Sequence, residues 1–216
     1  MIIKKFLHSC LLLEKDGKKL LIDPGSFSFV EGKIKPEDIG PVDIILITHQ
    51  HTDHYFPEAL KKILSLKEPK IITSDEIGAL LTGEGIKYHA IFDGDEIDID
   101  GFNIKAINAA HGLTPTLPPH NFAYLIDGKL LHPGDSMSVS NDIKCDVLAL
   151  PISAPWARMI DLLEFGAKFN ASKIIPIHEK ILADYWIPRA YDISRSYLEK
   201  KGKEFYPLEI GESLEI

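Results

Sequence analysis

Apolar residues in this chain come in short runs broken by charged, Gly-bearing and Pro-bearing turns. Residues 2–6, 10–14 and, after the turn at Asp16-Gly17, 19–22 read as strands. The loop Asp23-Pro24-Gly25-Ser26 interrupts them, and Pro41 introduces a further strand over 42–47 whose apolar run predicts burial on both faces. Residues 57–64 place a Pro at a helix start with apolar positions at helical spacing; 70–73 is a short strand and 74–81 a capped helix. The middle alternates with period two over 96–100, 102–109, 121–126 and 129–132, the last two joined by the hairpin turn Asp127-Gly128. A strand over 146–150, a helix over 157–169, a strand over 173–177 and a helix over 185–201 complete the pattern. Strands in both halves, with helices after Pro57 and in the last third, predict sheets covered by helices rather than an all-β barrel.

Composition narrows the class without changing the elements. The 216 residues are 45% hydrophobic and 26% charged, an ordinary balance for one globular domain over 1–216 that needs no disulfide to build a core. The formal net charge is −8 and no Lys or Arg block forms a phosphate-binding stripe, so no stable nucleic-acid partner is expected, although a metal-dependent nuclease can remain acidic. No apolar stretch approaches the roughly 20 residues of a membrane span, and the charged start is unlike a signal peptide, so the cytoplasm is the expected location. Cys10 and Cys145 both sit in apolar contexts and read as unpaired core residues; two cysteines cannot make a four-cysteine zinc site.

The chemistry concentrates in His49-Gln50-His51-Thr52-Asp53-His54, three imidazoles and a carboxylate directly after a buried strand. That is the composition and placement of a metal site. His111, Asp135 and His178 each follow a predicted strand in the same way, and loops at strand ends are where a rigid scaffold holds reactive groups. The loop from Leu113 to His120, with three prolines, reads as a rigid cover over a cleft.

These segments, with Ala110-His111-Gly112, Pro133-Gly134-Asp135-Ser136 and Pro176-Ile177-His178, resemble the metallo-β-lactamase fold superfamily of metal-dependent hydrolases over residues 6–180. The resemblance implies an α+β, αββα four-layer sandwich with metals at one sheet edge. It further implies that His49, His51 and His111 hold one ion, that Asp53, His54 and His178 hold a second, and that Asp135 bridges them, Asp53 and Asp135 being the catalytic carboxylates. The expected cofactor is two divalent ions, Zn2+ foremost, with Mn2+ or Fe2+ compatible with mixed N and O ligands. A hydroxide held between the ions would attack the substrate, with no nucleophilic Ser or Cys required.

Phe6-Leu7-His8-Ser9-Cys10 and Asp23-Pro24-Gly25, with the 121–126 strand, look like the branch containing the ascorbate-6-phosphate lactonase and the N-acyl-phosphatidylethanolamine phospholipase D. The resemblance implies that Asp23 supports the site from behind the ligands, the other reading being a simple turn carboxylate. His8 reads either as such a support or substrate contact, or as a structural hydrogen-bonding group. His120 is a candidate cleft contact or a solvent-facing loop residue, and His132 a structural residue near enough to Asp135 to support it. Arg158, Lys168 and Arg189 are available to balance an anionic substrate, with nothing to place them near the metals. The leading expectation is a hydrolase of a small ester, lactone or phosphodiester, with an anionic substrate and a homo-oligomer both compatible. The alternatives are a nuclease or cyclic-nucleotide phosphodiesterase using the same ions, and a non-catalytic metal-binding sensor or scaffold.

Overall fold

The computed structural model describes residues 1–29 and 31–216. Two seven-stranded mixed sheets face each other. The first holds β1 (Ile2–Lys5), β2 (Leu11–Lys15), β3 (Lys18–Ile22), β4 (Ile44–Leu46), β5 (Lys70–Thr73) and β6 (His89–Ala90). The second holds β7 (Glu96–Ile99), β8 (Phe102–Asn108), β9 (Phe122–Ile126), β10 (Leu130–His132), β11 (Val147–Pro151), β12 (Lys173–Ile177) and β13 (Glu204–Phe205), and β14 (Ser213–Glu215) returns to pair with β1. In each sheet one half is antiparallel and the other parallel, the change falling at β3–β4 in the first and at β10–β11 in the second. The parallel halves are wound through helices, α1 (Pro57–Leu64) and α2 (Asp75–Gly83) on the first sheet, α3 (Met159–Lys168) and α4 (Ile187–Glu199) on the second.

Alternation within fully apolar strands explains the layering. Ile3, Leu13, Leu20, Ile22, Ile44 and Leu46 turn inward to meet Ile104, Phe122, Tyr124, Val147 and Ile175 of the other sheet. Their neighbours Leu12, Leu21 and Ile45 turn outward onto Leu60 and Ile63 of α1 and Ile77 and Leu81 of α2. Leu148, Leu150 and Ile174 likewise pack on Leu163, Phe165, Ala190 and Leu198 of α3 and α4. With both strand faces covered, no polar position is left to mark the period, which is why β4 and β11 read as continuous apolar runs. The result is the expected α+β four-layer sandwich.

Helix starts follow local chemistry. Ser74 caps α2 by accepting from the Ile77 amide, with Asp75 and Glu76 in the first turn, and Pro57 occupies the first turn of α1. The strands that the pattern missed are β6, β13 and β14, edge pieces of two or three residues too short to show a period. The sheets are joined by polar bonds at the end that carries the conspicuous histidines. The Ile47 carbonyl accepts from Thr73 Oγ1 (2.9 Å) and from Tyr124 Oη (3.1 Å), and the Phe122 amide donates to the Thr48 carbonyl. Among the described residues, no helix is long and apolar enough to cross a membrane.

Candidate metal centre

Strand ends from both sheets converge at this edge. Thr48 and His49 follow β4, His8 follows β1, His111 follows β8, Asp135 follows β10 and His178 follows β12. The backbone is bent sharply there: His8, Asp23 and His178 have φ of 60°, 49° and 69°, in the left-handed region that costs a non-glycine residue about 1–3 kcal/mol. Two turns depend on glycine. A Cβ on Gly25 would lie 1.8 Å from the Asp53 carbonyl oxygen, and one on Gly134 (φ +59°) would lie 2.1 Å from Asn121 Oδ1. Asn121 is the brace of that second turn: its Nδ2 donates to the carbonyls of Ala109 and Pro133 and its Oδ1 accepts from the Asp135 amide, joining the ends of β8, β9 and β10.

The side chains form two clusters positioned to hold metal ions, His49, His51, His111 and Asp135 in one and His8, Asp53, His54 and His178 in the other, with donor atoms in each within 4.8 Å of one another. In the first, His51 Nδ1 lies 3.2 Å from His49 Nε2 and 3.1 Å from His111 Nε2, and His111 Nε2 lies 3.5 Å from Asp135 Oδ2. In the second, His178 Nε2 is 3.4 Å from Asp53 Oδ2, and His54 Nε2 is 3.9 Å from it. Asp135 joins the two, its Oδ1 being 3.0 Å from His54 Nε2 and 3.1 Å from His178 Nε2.

The donor set passes a test for a cation. His54 Nε2, His178 Nε2 and Asp135 Oδ1 are buried and make no hydrogen bond although the two nitrogens lie 3.0 and 3.1 Å from that oxygen, and buried polar atoms left without partners are what a shared cation would satisfy. Ligands about 2.1 Å from a tetrahedral ion stand about 3.4 Å apart, the spacing seen here. The opposite ring nitrogens are fixed by oxygens. His54 Nδ1 donates to Asp23 Oδ2 (2.7 Å), His178 Nδ1 to the Ser153 carbonyl (2.7 Å), His111 Nδ1 to the Gly112 carbonyl (2.6 Å) and His49 Nδ1 to Thr48 Oγ1 (3.0 Å). Each such bond places the proton on Nδ1 and leaves Nε2 as a bare lone pair facing the centre.

Electrostatics follow from burial against paired charge. For His54 and His178, burial disfavours the cation, but the carboxylate charge of Asp135 overrides it; His178 is pushed up to about 9 and His54 well above the ordinary imidazole range, Asp23 adding to the latter. Burial also opposes ionisation of Asp53 and Asp135, yet the neighbouring imidazoles of His178 and His8 hold Asp53, and those of His178 and His54 hold Asp135, well below the usual carboxylate range. Burial and neighbouring imidazoles keep His49 and His8 neutral, His8 down to about 3.

The remaining sequence candidates separate clearly. Asp23 is fully buried behind the centre, accepting from His54 and from both the amide (2.8 Å) and hydroxyl (2.7 Å) of Thr48. His8 reaches the second cluster, its Nε2 3.0 Å from Asp53 Oδ2. His132 does not touch the Asp135 side chain: its Nε2 donates to the Ser9 carbonyl and its Nδ1 accepts from the Gly134 amide, so it supports the turn. His120 lies outside the cleft, exposed and edge-on to Phe122 in a separate groove with Glu76 and Asp93. The Pro-rich loop contributes Thr114 to the cleft, while Leu113 and Leu117 face solvent. Arg158 and Lys168 pair with Asp161 and Glu164, and neither lines the cleft. Trp156 went unnoticed in the sequence. Its indole Nε1 donates to Asp135 Oδ2 at 2.9 Å, and neither periodicity nor spacing ties it to a carboxylate 21 positions away.

Comparison with known proteins agrees with this geometry. The family described as Beta-lactamase superfamily domain matches residues 2–178. The chain belongs to the metallo-β-lactamase superfamily. Protein Rv0786c of Mycobacterium tuberculosis is 33% identical over 190 residues, covering 85% of this chain and 86% of its own. A UPF0173 metal-dependent hydrolase of Anoxybacillus flavithermus is 28% identical over 194 residues, covering 79% and 82%. Among solved structures, Igni18, a metallo hydrolase from the archaeon Ignicoccus hospitalis, superposes with a TM-score of 0.78 at 24% identity over 99% of this chain and 97% of its own, a likeness of fold.

Proposed function

We propose that this chain is a two-metal hydrolase of small, uncharged esters or lactones. In this reading His49, His51 and His111 hold one divalent ion, Asp53, His54 and His178 the other, and Asp135 serves both; Zn2+ suits the donors best, with Mn2+ and Fe2+ compatible. The observation that carries the reading is the grouping of His54 Nε2 and His178 Nε2 at 3.0 and 3.1 Å from the shared carboxylate oxygen Asp135 Oδ1, all three buried and none hydrogen bonded. When bound, two such ions supply Lewis acidity at the reacting oxygen and make a water acidic enough to attack at neutral pH. The chain's own residues do the positioning. Asp53, its side chain 18% exposed at the cleft wall and held ionised by His8 and His178, orients the attacking water. Asp135, at the buried junction of the clusters, fixes the geometry of both sets of imidazoles.

The cleft itself supports the substrate class. It encloses about 210 Å³, less than the roughly 300 Å³ at which drug-sized sites begin, and is walled by Phe27, Pro155, Trp156 and Ile181. None of the described residues lining it is Lys or Arg, and the net charge is −8, so a phosphodiester or nucleic acid finds no fixed cation from the protein. The Phe6-Leu7-His8-Ser9-Cys10 opening supports kinship with the lactonase-containing branch. Two buried unpaired cysteines, Cys10 and Cys145, are compatible with a reducing compartment such as the cytoplasm.

The test is metal content by elemental analysis together with hydrolysis of a panel of neutral esters, lactones, thioesters and phosphodiesters, before and after metal removal. About two ions per chain, with ester or lactone turnover lost on chelation and restored on re-addition, is expected. In the Asp135→Ala variant the fold should persist with at least one ion lost. Full occupancy with unchanged turnover in that variant would sink the assignment.

A further inference from the structure

The two oxygens of Asp135 live in different environments. Oδ1 is buried, lacks a hydrogen-bond partner, and stands 3.0 and 3.1 Å from the bare nitrogens of His54 and His178. Oδ2, on the side of His111 at 3.5 Å, accepts the indole N–H of Trp156 at 2.9 Å. The carboxylate of an Asp turns about a soft torsion with a broad minimum, so nothing intrinsic to the side chain decides which way its plane lies. The Asp135 amide, tied to Asn121, fixes the backbone but not that torsion.

The indole is placed for this contact by the absence of a side chain beneath it. A Cβ on Gly112 would lie 2.2 Å from the Trp156 ring, so the ring rests directly on the backbone next to His111. That same backbone is tied to the centre twice, the Gly112 amide donating to the Asp135 carbonyl (2.8 Å) and the Gly112 carbonyl accepting from His111 Nδ1. Trp156 is therefore braced against the two residues, His111 and Asp135, that define one side of the first cluster.

We propose that Trp156 is a positioning residue that orients the shared carboxylate and thereby makes the two metal sites unequal in affinity, the first site (His49, His51, His111) depending on the indole N–H and the second (Asp53, His54, His178) not. The inference rests on the two-metal reading. It follows from the asymmetry of the contacts: two imidazole nitrogens of the second site, at 3.0 and 3.1 Å, stand beside Oδ1 to hold it there, whereas on the side of the first site the indole N–H is the hydrogen bond that Oδ2 makes. Removing a group that orients a metal ligand typically lowers affinity about 10- to 100-fold.

The experiment is a Zn2+ titration of metal-free protein against a competing chelator, comparing wild type with Trp156→Phe, which keeps an aromatic ring over Gly112 and deletes the N–H. The expected result is two binding steps in wild type and, in the variant, a loss of about 10- to 100-fold in one step with the other unchanged. A variant isotherm that superimposes on wild type, or one in which both steps weaken equally, overturns the proposal. A wild type that binds fewer than two ions instead fails the two-metal reading itself. Fluorescence provides a check that leaves Trp156 intact. Trp186, the other tryptophan, is 45% exposed, so in Trp186→Phe all indole emission comes from Trp156. That emission should change on filling the first site, in one of the two binding steps, and constant emission through both steps overturns the proposal.

Discussion

Replacing Asp23 by Asn changes one atom in a buried carboxylate and should weaken one metal site. Asp23 Oδ1 accepts the Thr48 amide at 2.8 Å, and Oδ2 accepts both His54 Nδ1 and Thr48 Oγ1 at 2.7 Å, with the side chain fully shielded from water. In D23N the amide carbonyl keeps the Thr48 amide, which puts an NH2 where Oδ2 stood, donor facing donor at His54 Nδ1. The imidazole relieves this by moving its proton to Nε2, the nitrogen that faces Asp135, and a protonated nitrogen is no ligand. The expected loss at the second site is about 10- to 100-fold in affinity, or ~1.4–2.8 kcal/mol. The first site should suffer less, because the Thr48 hydroxyl can still accept from His49. Loss of the charged acceptor should also cost the metal-free fold ~1.5–3 kcal/mol, which for a chain of this size lowers Tm by ~3–12 °C. Chelator competition with site-resolved stoichiometry and thermal melts of metal-free protein read both effects. A D23N isotherm identical to wild type, in a protein that melts at the lower temperature, would refute the tautomer argument while leaving Asp23 a structural role.

Further outcomes follow from the same structure. In metal-free protein, His54 and His178 carry protons held by Asp135, so their stabilisation is complete below about pH 6.5, and that of His178 is lost as pH rises through about 9; His8, held neutral down to about 3, costs stability as pH falls below 6.5. Melts of the metal-free protein should therefore be highest near pH 6.5 and fall on both sides, whereas the loaded protein should stay level from 6.5 to 9; a metal-free Tm that rises over that interval contradicts the charge assignment. Gly25→Ala drives a methyl into the Asp53 backbone and should cost about 3 kcal/mol or more together with metal binding, measurable by denaturant unfolding. Lys5→Met strands the buried Glu179, 2.8 Å from the Lys5 ammonium, and should cost ~3–5 kcal/mol, most of it recovered in the K5M/E179Q double variant, whose Gln still accepts the His8 amide; equal stability of single and double variants would show that the ion pair is not the source.

How much was legible in the chain can be judged from particular residues. The HxHxDH segment is local: β4 delivers six successive residues to one edge, so its metal chemistry could be read before any fold was known. His111, Asp135 and His178 were legible because each follows an apolar strand, and strands are detectable by their runs even when the period is hidden. The layer order was legible for the same reason, since unbroken apolar strands must be covered on both faces. Within the sequence, however, His8, His120 and His132 were alike, single imidazoles beside turns. Tertiary structure alone sent His8 to Asp53, His132 to the Ser9 carbonyl, and His120 to a different groove. It alone brought Trp156 onto Asp135, because that contact depends on a ring packed against Gly112 and on the loop between β11 and α3 reaching the β10 end, neither of which leaves a periodic trace. The chain determined by itself which donors exist and which strands carry them, since composition and periodicity are local properties. Which oxygen meets which nitrogen was decided by the packing of two sheets, because a carboxylate's partners are set by atoms distant in sequence and free to differ until the strands are in register.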